Sequence, residues 1–139
     1  MKKIAIILIF VIGFSACKKE AGEGGTSVIK GKVMNYAISF NGSSNDTTIF
    51  PKAGKDVYII YSNDELAIYD DKFETDYNGR YRFEFLRNGD YTLYTYADST
   101  VEISSTISIK YEYPIFKHIK ISAKNSENFV DDFIIEKNQ

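Results

Sequence analysis

The chain has 139 residues, a formal net charge of −2, one cysteine, one histidine, no tryptophan, 11 tyrosines and 10 phenylalanines. That length fits one domain behind a leader. The lone cysteine excludes an intramolecular disulfide and any multi-cysteine zinc site, and the lone histidine removes most histidine-based metal sites. A near-neutral chain lacks the basic field that nucleic acid requires. Nothing in the sequence calls for a cofactor.

Residues 1–16 read as an export signal: Lys2 and Lys3 lead an uncharged apolar run, Ile4 to Phe14. Eleven residues are too few to span a bilayer as a mature helix, which takes roughly 20, but they suit the apolar region of a signal peptide. The ending Phe14-Ser15-Ala16-Cys17 resembles the bacterial lipobox, with phenylalanine where most lipoboxes carry leucine. The resemblance implies cleavage before Cys17 and acylation of its sulfur. Each buried acyl methylene contributes about 0.8 kcal/mol, so two or three chains would make the anchor effectively permanent. Residues 17–27 then supply the lipidated cysteine and a polar, glycine-rich stretch expected as a flexible tether. Lys18 stands where an aspartate would signal inner-membrane retention, so the resemblance implies the outer membrane. Lys18-Lys19-Glu20 does not match an acidic surface-export signal, and the choice between periplasmic and surface face stays open.

The domain is expected over 28–139, as an all-β sandwich of seven to eight short strands. From Val28 onward two-residue alternation dominates and no helical period persists. Val28–Met34 reads as the first strand. Asn35 to Phe50 reads as an inserted hairpin: Tyr36, Ile38 and Phe40 alternate, Asn41–Asp46 turns, and Thr47–Phe50 returns. Val57, Ile59 and Tyr61 share one face of the next strand, and Leu66–Tyr69 reads as another. In Arg80–Leu86, the residues Tyr81, Phe83 and Phe85 point one way and Arg80, Arg82 and Glu84 the other. Asn78-Gly79 before it and Asn88-Gly89 after it are turn signals. They lead to the expectation that Arg80–Leu86 and Tyr91–Ala97 form a hairpin. Ser105–Tyr113, Phe116–Ser122 and Phe129–Glu136 complete the strands. Pro51 and Pro114 are placed at strand boundaries.

The string Ile29-Lys30-Gly31-Lys32-Val33, Ala53-Gly54-Lys55-Asp56-Val57, Thr75-Asp76-Tyr77-Asn78-Gly79-Arg80-Tyr81-Arg82-Phe83 and Leu86-Arg87-Asn88-Gly89-Asp90-Tyr91-Thr92-Leu93 resembles the carboxypeptidase regulatory-domain-like family. That family has a transthyretin-like (prealbumin-like), Ig-like sandwich. The resemblance covers about Ile29 to Ala97 and implies a non-catalytic companion module. The Asn35–Phe50 insertion departs from it, and insertions on a constant scaffold are where specific function tends to sit.

The residues offer little catalytic chemistry. His118 is the only base of the usual kind, on a strand face with Phe116 and Lys120, and no G-x-S-x-G motif serves it. Asp76-Tyr77-Asn78-Gly79 lacks the further ligands and closing glutamate of a calcium loop and reads as a turn. Asp70-Asp71 and Asp131-Asp132 read as solvated charge. Asp46-Thr47 and Asp98-Ser99 fit a loose O-glycosylation pattern. The expected function is therefore a non-catalytic, outer-membrane-anchored lipoprotein whose sandwich is a protein-interaction module. Sheet edges and the Asn35–Phe50 hairpin, with Tyr36, Ile38 and Phe40, would supply the contact. The alternative is a surface glycan- or small-ligand-binding module using Tyr94, Tyr96, Tyr111 and Tyr113, since a flat ring with a polar tip suits both partners. The third reading is a spacer with no ligand.

Overall fold

The computed structural model describes residues 20–40 and 42–136. The signal segment 1–16, Cys17 and Asn41 lie outside the described residues. The described chain is all-β, with nine strands in two facing sheets. They are β1 (Glu23–Phe40), β2 (Asn45–Pro51), β3 (Asp56–Ile60), β4 (Asp71–Glu74), β5 (Arg80–Leu86), β6 (Gly89–Ser104), β7 (Ile107–Ile121), β8 (Glu127–Phe129) and β9 (Phe133–Glu136).

The first sheet is organised on β1. Its first half pairs antiparallel with β5 and its second half with β2, while β8 and β9 run parallel to it. The handover falls at Val33, whose N–H donates to the Gly79 carbonyl at 2.8 Å and whose carbonyl accepts from Lys52 N–H at 2.9 Å. The second sheet has the order β4-β3-β6-β7. Between them lies the core: Ile29, Val33, Tyr81, Phe83, Leu86, Phe133 and Ile135 from the first sheet, Val57, Ile59, Tyr91, Leu93, Ala97 and Ile121 from the second. Burying each large member contributes about 1.5–3 kcal/mol. Gly31 keeps the first sheet open to one of them, because a Cβ there would lie 2.2 Å from the Tyr81 hydroxyl oxygen.

Several expectations change. The inserted hairpin is present as the outer part of β1 with β2, in register from Met34↔Pro51 to Phe40↔Asn45. The stretch Glu23–Ser27, expected as part of a tether over 17–27, is ordered instead: β1 already begins at Glu23, and Ser27 is fully buried. Gly22 N–H donates to the Tyr91 hydroxyl at 2.9 Å and Arg87 N–H to the Gly22 carbonyl at 2.8 Å. These backbone bonds order a stretch whose composition alone reads as flexible. Arg80–Leu86 and Tyr91–Ala97 do not pair as a hairpin. They belong to opposite sheets, and Arg87-Asn88 is a corner between them, so that their apolar faces meet across the core.

Leu66–Tyr69 is not a strand. Asp64 captures the chain in a turn, its Oδ1 accepting from Leu66 N–H at 2.9 Å, and the partner of β3 is β4 instead. Ser105–Tyr113 and Phe116–Ser122 fuse into the single strand β7, with Pro114 inside it rather than at a boundary. An edge strand tolerates this because one side of it has no ladder to feed. Phe129–Glu136 splits into β8 and β9 around Val130–Asp132.

Phe85 also departs from the alternation. Its φ of 58° places it in the left-handed region, and the pairing of β5 with β1 shifts there. The phenyl ring turns out to solvent, 68 % exposed, and Leu86 enters the core in its place. A non-glycine residue in that conformation costs about 1–2 kcal/mol. Phe85→Gly is therefore expected to raise stability by about 1 kcal/mol, read as a higher urea midpoint at unchanged m value.

Candidate functional site

β6 and β7 outrun the sandwich. Their register continues from Gly89↔Ile121 to Glu102↔Ser108, and every residue from Thr100 to Pro114 is exposed. The projecting part is a two-stranded arm. Period-two alternation sorts its side chains without exception. Ser99↔Tyr111, Val101↔Ile109 and Ala97↔Tyr113 lie on the face that continues the core, with Ile103 and Ile107 at the tip. Asp98↔Glu112, Thr100↔Lys110 and Glu102↔Ser108 lie on the other. Val101, Ile103, Ile107, Ile109, Tyr111 and Tyr113 are each exposed, from 42 % for Tyr113 to 61 % for Ile103. The rings of Tyr111 and Tyr113 lie 6.1 Å apart. The arm is thus amphipathic, with an apolar face interrupted at Ser99 and a polar back.

Gly22 at the start of β1 touches Tyr91 near the start of β6. Both strands run away from that end, so the β1–β2 hairpin and the arm leave the sandwich together at the other. On the β1–β2 hairpin Tyr36 is half-buried, while Ile38 and Phe40 are exposed, on the face that carries Met34, Ile49 and Pro51 rather than the core face.

Tyr94 and Tyr96 lie elsewhere, on the outer face of the second sheet. Tyr58 and Tyr94 stack at 4.8 Å and 15°. Tyr69, Tyr96 and Phe116 close around them at 4.8 to 6.0 Å. Tyr94 is buried and Tyr96 half-buried, and burial pushes the Tyr58 and Tyr94 hydroxyls above their ordinary range. The neighbouring Asp56 carboxylate adds to the shift at Tyr58, and Tyr96 to the shift at Tyr94.

The segment between β3 and β4 lies beside this aromatic face. Thr92 donates to the Ser62 carbonyl at 2.7 Å, His118 Nδ1 lies 3.0 Å from Thr92 Oγ1, and His118 Nε2 lies 2.8 Å from Glu65 Oε1. Both ring nitrogens are thus engaged, one by the threonine hydroxyl and one by the carboxylate. His118 is thereby a tie between β7 and the β3–β4 segment.

The expected site residues therefore fall into three places. Tyr36, Ile38 and Phe40 lie on one hairpin, Tyr111 and Tyr113 on the apolar face of the arm, and Tyr94 with Tyr96 on the opposite face of the second sheet. Val101, Ile103, Ile107 and Ile109 went unread as a site. Their alternation is plain in the sequence, but the same pattern marks any half-buried strand, and only the ladder shows that no second sheet covers it.

An open groove of 1080 Å³ runs along the first sheet, lined in part by Lys30, Lys32, Arg80, Arg82, Phe129 and Ile134. Lys30 pairs with Glu127 at 2.5 Å, Arg82 pairs with Glu84, and Asp131 with Asp132 borders the same groove. Its charges offset one another. Among the described residues no cluster of three or more His, Cys, Asp or Glu could hold a metal ion.

No protein-family model matches the chain, and no curated protein matches it. Among solved structures it is similar to the crystal structure of a proposed carbohydrate-binding protein from Pseudomonas aeruginosa. The two share 14 % identity over 84 % of this chain and 92 % of that one, with a TM-score of 0.49. A likeness of that degree carries no argument about ligands.

Proposed function

We propose that the chain is a non-catalytic lipoprotein of the outer membrane, anchored through Cys17, whose sandwich presents the β6–β7 arm to a protein partner in the cell envelope. The observation that carries this reading is the arm's apolar face. A two-stranded ribbon alone in water is marginally stable, and a contiguous exposed apolar surface marks an interaction site. The arm also points the right way for such a role. Cys17 precedes Gly22, at the end of the sandwich opposite the arm, so a lipid anchor there would direct the arm away from its own membrane. The carboxypeptidase regulatory-domain-like type of sandwich belongs to this reading as well. It is supported by Gly31 at the close approach to Tyr81 and Gly79 at the turn into β5.

The test is crosslinking in living cells with a tagged chain, followed by recovery of what is attached. Replacing Val101, Ile109 and Tyr111 together by threonine is expected to remove the partner by at least tenfold. Urea stability should shift by no more than about 1.5 kcal/mol, because exposed positions individually stay within about 0.5 kcal/mol. Undiminished recovery from the threonine variant overturns the reading.

The aromatic face around Tyr94 and Tyr96 favours a second reading, a glycan platform. A saturable change in tyrosine fluorescence with a soluble polysaccharide, lost in Tyr96→Ala, supports that one. No change up to millimolar sugar removes it.

A further inference from the structure

We infer that two copies of this chain pair edge to edge through β7, joining their arms into one four-stranded apolar platform. The inference rests on the arm being the docking surface and names the first occupant of its open edge. β7 is the last strand of its sheet, so one side of its backbone has no partner in the described chain. Pro114 has no N–H to give and is tolerated where its nitrogen faces that open side. The register of β7 with β6 is unbroken from Pro114 to Ser108. The backbone groups of Ser108, Lys110 and Glu112, at two-residue steps from Pro114, then face the open side as well.

Antiparallel pairing of two such edges admits three central registers that match these groups. One is centred on Lys110 and sets lysine against lysine. The second is centred on Tyr111 and sets Lys110 against Glu112 of the second copy, twice by symmetry. The third is centred on Ile109 and sets Lys110 against Ser108, with no charge pair. Cross-strand opposite charges stabilise and like charges destabilise, so the charges select the second register. Pro114 ends the ladder, since the pairing beyond it lacks a donor. The product is an isologous dimer. Its four strands supply what a lone ribbon lacks, and its apolar faces lie side by side, open to a further partner.

The test is sedimentation equilibrium of the full-length protein in density-matched detergent, from 1 to 100 μM. Wild type is expected to dimerise. Lys110→Glu and Glu112→Lys should each weaken dimerisation by an order of magnitude or more, and the double exchange should restore it. Tyr111→Cys should oxidise to a covalent dimer across the symmetry axis, with wild type as the control for Cys17. A wild-type monomer at 100 μM overturns the inference, as does a dimer indifferent to both single exchanges. Neither result touches a partner lost from the threonine variant, so the dimer and the docking surface fail separately.

Discussion

Gly79→Ala is expected to destabilise the fold by roughly 2–4 kcal/mol, the sum of a backbone penalty and an overlap that cannot relax. Gly79 has φ 71°, which an L residue adopts only at a cost. Its missing Cβ would lie 2.4 Å from the Val33 carbonyl oxygen and 3.1 Å from Lys52 N. Neither atom is free to move, because Val33 is where β1 passes from β5 to β2 and both its backbone groups are engaged. The turn itself is held by Asp76, whose Oδ1 accepts from Asn78 N–H and Arg80 N–H at 2.8 Å each. Urea denaturation should show the loss as a lower midpoint. A midpoint within 0.5 kcal/mol of wild type would mean that the junction at Val33 does not hold the sheet as described.

Phe133→Ala carries the second large effect, about 3–5 kcal/mol. Phe133 is fully buried, pairs with Val33 in the parallel ladder and packs its ring 6.0 Å from Tyr81. The Lys117 ammonium lies 5.5 Å above the same ring, so β7 is engaged too. The four positions that separate it from Phe129 give a control. Phe129 is 72 % exposed, and Phe129→Ala should change stability by no more than about 0.5 kcal/mol. Equal effects from the two substitutions would contradict the placement of β9 in the core.

These two predictions also mark what the sequence could and could not show. Alternation located β5 and the first half of β6 correctly, because a half-buried strand writes its burial as period two. Gly79 announced its turn by type. Pairing was another matter: a short turn between two alternating strands reads as a hairpin, although Arg87-Asn88 is a corner between sheets. The choice depends on Tyr91 reaching Gly22 and Arg87, contacts invisible along the chain. Phe85 misleads for a related reason, since one left-handed residue reverses the faces of everything after it. Glu23–Ser27 reads as flexible because composition reports no burial, while Ser27 is fixed by a bond from its hydroxyl to the Ala123 carbonyl at 2.9 Å.

The candidate surface was half legible. Tyr111 and Tyr113 are aromatic enough to draw notice, whereas Val101, Ile103, Ile107 and Ile109 look like ordinary core. Nothing local distinguishes an apolar strand face that another sheet covers from one that projects beyond it. For Tyr94 and Tyr96 the sequence leaves open whether another layer covers them. Alternation puts them on the outer face, and their ring neighbours, with the segment from Tyr61 to Asp70 alongside, then bury much of that face. Tyr36, Ile38 and Phe40, expected as a contact, lie on the hairpin that leaves the sandwich at the same end as the arm.

Site-by-site photocrosslinking along β7 in living cells tests this most directly. A photoreactive residue is placed singly at each position from Ile107 to Tyr113, and adducts to other proteins are separated from adducts between copies by mass. The account predicts adducts to another envelope protein at Ile107, Ile109, Tyr111 and Tyr113, and none at Ser108, Lys110 and Glu112. Adducts spread evenly over both sets, or absent from all seven, would contradict the claim that the apolar face of the arm is the docking surface.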